Sequence, residues 1–422
     1  MKSLIAIIVL LLSLGNVYSQ NTNSPYSILG IGDIETNYYN RTSGLANTGL
    51  AYRNDKYTVN NNPASYTALP LRFFSFEVSG RAQFVSYKGT PLNGSSADGK
   101  DFAIKRLAVA TKINKWWGSS GGLMPYSTAS YSFSSQKNIQ GTGSTVPVTY
   151  DGTGGVNQVY WDNAFEPIKH LSIGVHAAYL FGSLTQTESL VTEGLSTTLT
   201  TTRQTFLKNF NFTYGAQYYT PINKRWDISL GGIYQPKHNL SAYSTVVVTD
   251  NGTQISSTQD VSKSVDFNLP EAYGFGFSLT KDKKYSLVGD YKFQGWSSTN
   301  NFNGSNYSLQ NSSRASLGFE VSNKLKNFTG DFEKNFIQAG VYYGNSYLRI
   351  NGQQLQEMGL TLGYGLFRNK SQYGMTGLGV SLGLDVGQRG TTANGLIKEN
   401  YVNFTITVSY RDFWRPRGIK YL

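Results

Sequence analysis

The chain has 422 residues, with 37 Lys and Arg against 25 Asp and Glu, 30 Tyr, 23 Phe, 45 Gly and no Cys. The lack of Cys excludes a thiolate zinc site, an iron–sulfur cluster, a disulfide framework and a lipid-modified N-terminal Cys. Charged residues make up 15%, against ~25% in a typical soluble domain, and with the aromatic and glycine load this describes a β-rich chain. A mean hydropathy of −0.33 excludes a bundle of transmembrane helices, each of which needs about 20 mostly apolar residues.

Residues 1–19 read as a secretory signal. Met1-Lys2 supplies the positive start, Leu4 to Leu14 an apolar core broken only by Ser13, and Val17-Tyr18-Ser19 the cleavage site, with Gln20 as the first mature residue. The apolar run is too short for a membrane anchor. Residues 20–70 are rich in Gly, Asn, Ser and Tyr, show no alternation and form a separate N-terminal unit. Its apolar residues Ile28, Leu29, Ile31, Leu45 and Leu50 either line part of a pocket or pack the unit itself.

From residue 71 onward apolar residues recur at every second position, between clusters of Gly, Asn, Ser and Asp. The spans are 71–88, 101–114, 118–136, 153–164, 170–186, 203–220, 226–240, 262–280, 284–297, 309–322, 335–346, 354–368, 372–388 and 399–412. That is about 14 strands, each near or above the ~9 to 11 residues that cross a bilayer. Short connections such as Phe165 to Lys169 and Pro221 to Arg225 alternate with longer polar ones, among them Thr187 to Thr202 and Ser241 to Val261. The longer set holds every Asn-Gly pair, at Asn93, Asn251, Asn303, Asn351 and Asn394. An all-β transmembrane antiparallel barrel over 71–414 predicts this segregation, and a soluble sandwich does not. Trp116, Trp117, Trp226 and Trp414 fall near the short turns, as an interfacial girdle requires.

Two strands carry irregularities. In the third, Gly118, Gly121, Gly122 and Pro125 interrupt the ladder, so the wall bends there, as a side opening at Gly121, Gly122 and Pro125 or as a curvature-relieving bulge. In the fifth, His170 and His176 share a parity and are both expected in the lumen, but no Ser motif or matching carboxylate set accompanies them. Neither catalytic residues nor a metal site nor a cofactor is expected. The last strand is the clearest, with Val402, Phe404, Ile406, Val408 and Tyr410 on one face and Asn403, Thr405, Thr407, Ser409 and Arg411 on the other. With Trp414 it forms a terminal-strand signal, and the basic tail 415–422 then projects into the periplasm.

Ser43-Gly44-Leu45-Ala46-Asn47-Thr48-Gly49-Leu50-Ala51, then Asp55 and Asn62-Pro63-Ala64-Ser65-Tyr66, resemble the N-terminal hatch of the FadL-type outer-membrane long-chain fatty-acid transporters. Leu269 to Gly276 and Tyr401 to Trp414 are also similar to segments of that family. The resemblance implies a 14-stranded barrel with residues 20–70 as a plug in the lumen, marked by Gly44, Gly49, Asn62, Pro63 and Ala64, and a lateral opening at the kink of the third strand. Gly44 and Gly49 are expected to give close backbone approach and positive φ. A Bacteroidota branch of the family, which includes a shuttle subunit of the type IX secretion system, has the same form.

The expected location is the outer membrane, with its lipids and lipopolysaccharide as the partners of scattered basic residues; nucleic acid is excluded by compartment and by the lack of a basic stripe. Two functions fit. One is uptake of small hydrophobic molecules past the hatch and out through the third strand, with a bound hydrophobic ligand. The other is a non-transporting docking subunit of a larger secretion or barrel-assembly complex, using the loops and the C-terminal tail. Inward positions rich in Gly, Ser, Thr, Asn and Gln count against an acyl-chain pocket.

Overall fold

The computed structural model describes residues 24–89, 97–138, 145–192, 197–260, 267–299, 307–327, 330–369 and 376–413. The signal segment, Trp414 and the basic tail lie outside the described residues, as do Asn93 and Asn303.

A two-residue strand, β1 (Asp33–Ile34), belongs to the N-terminal unit. The wall begins with β2 (Phe73–Gly89) and β3 (Ala97–Lys112), continues through the broken third crossing β4 (Trp117–Thr128) and β5 (Tyr131–Asn138), then β6 (Thr145–Ile168), β7 (Leu171–Thr192) and β8 (Thr197–Pro221). Two further crossings are also interrupted. One is β9 (Trp226–Gln235) with β10 (His238–Asp250); the other is β11 (Thr253–Asp260), β12 (Phe267–Leu269) and β13 (Ala272–Lys281). After β14 (Tyr285–Gln294) come β15 (Tyr307–Leu309) with β16 (Ser312–Asn327), then β17 (Gly330–Ile350), β18 (Gln353–Asn369), β19 (Gly377–Arg389) and β20 (Ile397–Phe413). These make fourteen antiparallel crossings, and β20 returns to β2 from Phe73↔Phe413 to Gly89↔Ile397, closing the barrel.

Alternation sorts the faces. On β20, Asn403, Thr405, Thr407, Ser409 and Arg411 are buried inside while Phe404 and Ile406 are exposed outside. The outward aromatic and aliphatic belt, which includes Phe210, Phe275, Leu360 and Leu362, faces lipid in the outer membrane.

The strands are longer than the apolar pattern indicates. β6, β7 and β8 span 24, 22 and 25 residues, about twice what a bilayer crossing needs. The expected loops Thr187 to Thr202 and Ser241 to Val261 are largely strand: β7 and β8 pair up to Thr192↔Thr197, and β10 pairs β11 to Asp250↔Thr253. Above the membrane both faces meet water, so Thr, Ser and Val continue the ladder without an apolar period. At Asn251-Gly252 and Asn351-Gly352 both residues of the tight turn have positive φ, the geometry that matches strand twist in two-residue hairpins.

Candidate functional site: the plugged lumen

Residues 24–70 fill the barrel with short turns of 3-10 helix at Pro25–Ile28, Arg41–Leu45 and Pro63–Ala68. Asn40 and Asn62 cap the second and third, each side chain accepting from the backbone N–H two residues on. The plug backbone rests on wall glycines. A Cβ at Gly340 would lie 2.6 Å from Ala46 N, one at Gly174 2.5 Å from Ala64 N, and one at Gly231 2.0 Å from Leu50 O. These three glycines therefore do not line an open channel; they seat the plug. Leu45 and Leu50 are fully buried against the wall glycines, so they pack the plug.

Gly44 sits against the wall, where its own Cβ would be 2.5 Å from Gly363 Cα, and Gly49 against Asn61. The positive φ expected of these two glycines is found at Ala46 and Asn47 instead. Asn62 Nδ2 donates to Leu50 O, Ala216 O and Gly232 O at 2.8, 3.1 and 3.2 Å, tying plug to wall, while Pro63 and Ala64 lie over Gly174 and Gly215.

Charge pairs fasten the plug. Arg41 holds two wall carboxylates, Nη1 to Glu333 Oε1 at 2.6 Å and Nη2 to Glu320 Oε1 at 2.9 Å, with its guanidinium 3.8 Å above the Phe336 ring. Tyr52 and Gln338 also donate to Glu320. Asp290 accepts from Gly49 N and Leu50 N at 2.7 and 3.0 Å. On β3 a bulge opposite Ser79 and Gly80 turns two successive cations inward: Lys105 Nζ reaches Glu35 Oε1 at 2.9 Å and Arg106 Nη1 reaches Glu77 Oε2 at 2.8 Å. Burial pushes the plug carboxyl of Glu35 up, but Lys105 and Arg81 beside it outweigh burial and hold it down at about 2.

The third crossing departs from its neighbour. β3 pairs β4 only from Leu107↔Leu123 to Lys112↔Gly118, so among the described residues the β4-facing edge of β3 above Leu107 has no strand beside it. β4 stays on β6 through Pro125↔Asn157, with a register shift before Ser127. The plug takes up the matching free edge of β4: Ile34 pairs Ser127, Asp33 pairs Thr128, and Glu35 N donates to Tyr126 O at 3.0 Å. Gly121 has room for a side chain, whereas a Cβ at Gly122 would meet Leu107 O at 2.4 Å. Pro125 sits beyond the end of the β3–β4 ladder, where its missing N–H costs that ladder nothing.

Only one of the two His is in the lumen. His176 Nδ1 lies 2.6 Å from Asp162 Oδ1 and the ring stacks on Tyr160, whereas His170 has φ 73°, forms the β6–β7 turn and packs on Tyr219. Among the described residues no group of three His, Asp or Glu is placed to hold a metal ion. Beside the kink, a cavity of about 330 Å³ is bounded by Met124, Pro125 and Tyr126 on one side and by Arg81, Arg314 and Arg389 on others. Ion pairs and amides make up much of its wall: Arg389 with Asp33 and Glu399, Arg314 with Glu357, and Asn60, Asn61, Gln158 and Asn211.

The sequence reading missed the glycine seats and the Arg41 clamp. A signal for the bulge was present: Lys105-Arg106 inside an apolar strand would place one cation in lipid under strict alternation, so the strand must break register there.

The fold is that of FadL-type channels. A Pseudomonas aeruginosa FadL homologue is 13% identical at a TM-score of 0.58, with 89% of this chain and 98% of that one covered. The Pseudomonas putida toluene transporter TodX is 13% identical at 0.55, covering 92% and 100%. The Ralstonia pickettii toluene transporter TbuX is 14% identical at 0.52, covering 83% and 92%. No curated protein matches the chain in sequence. A family model, BamG, matches residues 1–418, and the chain belongs to the BamG family.

Proposed function

We propose that this protein is a plugged, non-transporting subunit of a larger outer-membrane complex, with the barrel as a docking platform. The observation that carries this reading is the plug itself. It is seated on backbone at the wall glycines and clamped through Arg41 to two buried carboxylates, and buried ion pairs and amides stand among the apolar and aromatic side chains that line the cavity beside it. The long β6–β8 wall and the β10–β11 hairpin extend past the bilayer as paired strand, a rigid surface for protein contact. Of the two complexes that the sequence admits, secretion and barrel assembly, the designation BamG favours barrel assembly. The reading sets the chain beside the Bacteroidota-type members of the FadL-like fold in which a barrel serves as a subunit. The basic tail 415–422 is a further contact in it.

The test is affinity purification of the full chain in mild detergent, followed by gel filtration and mass spectrometry. Stoichiometric outer-membrane proteins travelling in one particle, with a fall in the abundance of other barrels when the chain is depleted, support the platform. A lone barrel carrying bound lipid, with other barrels unchanged on depletion, contradicts it.

A second reading, uptake of small hydrophobic molecules, is favoured by the end of the β3–β4 ladder at Leu107↔Leu123, with the kink residues Gly121, Gly122 and Pro125 beside the cavity as its lateral opening. The FadL homologue and the toluene transporters share the fold. Uptake of a monoaromatic probe above that of cells lacking the protein would support this reading, and equal uptake would remove it.

A further inference from the structure

The outer wall carries a groove of about 610 Å³ on β2, β3, β18, β19 and β20, toward the end away from Phe73 and Phe413. No plug residue lines it, so it opens away from the lumen. Two register rows cross it. In one, Phe84 pairs Val402 and Val402 pairs Val386; in the next, Ser86 pairs Asn400 and Asn400 pairs Gln388. Both rows point outward, because Val85 and Tyr401 between them are buried and the Tyr401 hydroxyl donates to Glu357 on the inside. The outer face thus turns from apolar to polar along one line across three strands. That line is the edge of the lipid-facing belt, and the groove straddles it.

Cations stand just past this line. Lys100 lines the groove opposite Phe84, and one row beyond Ser86 and Asn400 the outward residues Lys88 and Lys398 are direct cross-strand partners. Side chains so opposed start about 4.5 to 5.5 Å apart, and like charges there destabilise the sheet unless an anion comes between them. The ion pairs of the described residues include none of the three lysines. Asp98, opposite Ser86, is the one acid that lines the groove, so this face has a surplus of positive charge. The occupant must therefore combine an anion for the lysines with hydrocarbon for the Phe84 row. A soluble anion has no use for the apolar row, and a neutral lipid leaves the lysines unpaired. A phosphate group accepts from several ammonium groups at once, and Ser86, Asn400 and Gln388 between the two levels supply donors to a head group.

We propose that this groove binds a phosphorylated lipid of the outer leaflet, the lipid A part of lipopolysaccharide, with a phosphate between Lys88 and Lys398 beside Lys100 and an acyl chain along Phe84, Val402 and Val386. The site lies outside the lumen and is independent of whether the barrel acts as a platform.

The experiment is titration of the purified full chain, in a nonionic detergent, with lipid A, with lipid A stripped of its phosphates and with inorganic phosphate. Bound lipid is counted by native mass spectrometry, and stability is read from the heat-modifiable band shift of the folded barrel. Lipid A is expected to bind and to raise the heat-modification temperature. Lys88→Gln combined with Lys398→Gln should weaken that binding about ten-fold and abolish the rise. Without lipid the same double variant should be at least as stable as the natural chain, because it relieves the like-charge pair; Lys398→Gln alone serves where the double variant fails the band-shift check. Lys137→Gln with Arg203→Gln removes the same charge elsewhere on the exposed wall and should leave binding unchanged. Equal binding of the dephosphorylated lipid, or a stability gain from inorganic phosphate as large as that from lipid A, overturns the proposal. So does lipid A binding that the Lys88 and Lys398 variant leaves unchanged, or that the Lys137 and Arg203 variant weakens as much.

Discussion

Two arcs of one wall treat the plug in opposite ways. Across β16 to β18 the ladder is long, with register shifts only at Asn323/Lys324 and Asn345/Arg349, and glycines at 318, 340 and 363 let the Arg41–Leu45 turn lie on bare backbone while Arg41 closes on Glu320 and Glu333. Across β3 to β5 the ladder stops after Leu107↔Leu123, and the plug lays β1 along the freed edge of β4 only. In the first arc the wall holds the plug; in the second the plug covers one edge of an open seam. The plug is therefore a structural part of the barrel, and its removal would bare the edge of β4 and loosen the opposite arc together.

The comparison is broken most directly at Arg41. Arg41→Ala leaves two carboxylates buried without their cation, and a loss of about 3 to 5 kcal/mol is expected, read as a lower heat-modification temperature. An unchanged temperature would show that the clamp contributes nothing. A second way uses acid. Glu35 is held at about 2 in the folded chain against an ordinary 4.5, so its contribution is complete above 4.5 and is lost as pH falls from 4.5 through 2. The shift corresponds to about 3 kcal/mol at most. Unfolding midpoints between pH 6 and pH 2 should fall more steeply in the natural chain than in Glu35→Gln; parallel profiles would refute the assignment.

A third prediction concerns the seats. Gly340→Val puts methyl groups into the Leu45–Ala46 backbone, where no flexible atom can give way, and is expected to cost about 1 to 3 kcal/mol. The same substitution at Gly252, where a Cβ meets nothing within 4 Å but φ is +80°, costs only local turn strain and controls for loss of glycine as such. The smallest effect belongs to the open arc. Pro125→Thr restores a donor where no β3 partner exists, so stability should move by less than about 0.5 kcal/mol. A larger gain would show that Pro125 alone keeps the two strands apart.

The arcs also differ in how far the sequence reveals them. Val402 to Arg411 alternates cleanly because one face meets lipid and the other the plug, and that contrast made the crossings and the closed barrel legible. Where both faces meet water, as in β7 and β8 beyond the bilayer, Thr and Ser carry no period and strand reads as loop. Glycines 174, 231 and 340 look like an empty lumen, since one strand's sequence cannot show which plug atom lies 2 to 3 Å from a missing Cβ. Arg41 with Glu320 and Glu333 was illegible for a related reason: the partners are hundreds of residues apart, and only barrel closure brings them together.

The central claim is that the plug does not move in function. The chain has no Cys, so a single engineered pair gives a clean lock, and Thr48→Cys with Ser316→Cys replaces a plug-to-wall hydrogen bond of 2.9 Å. Growth and complex assembly should be measured in cells that depend on this variant, with the pair oxidised and with it reduced. The stationary-plug account predicts that the two states are indistinguishable. Loss of function on oxidation, restored by reductant, would contradict it.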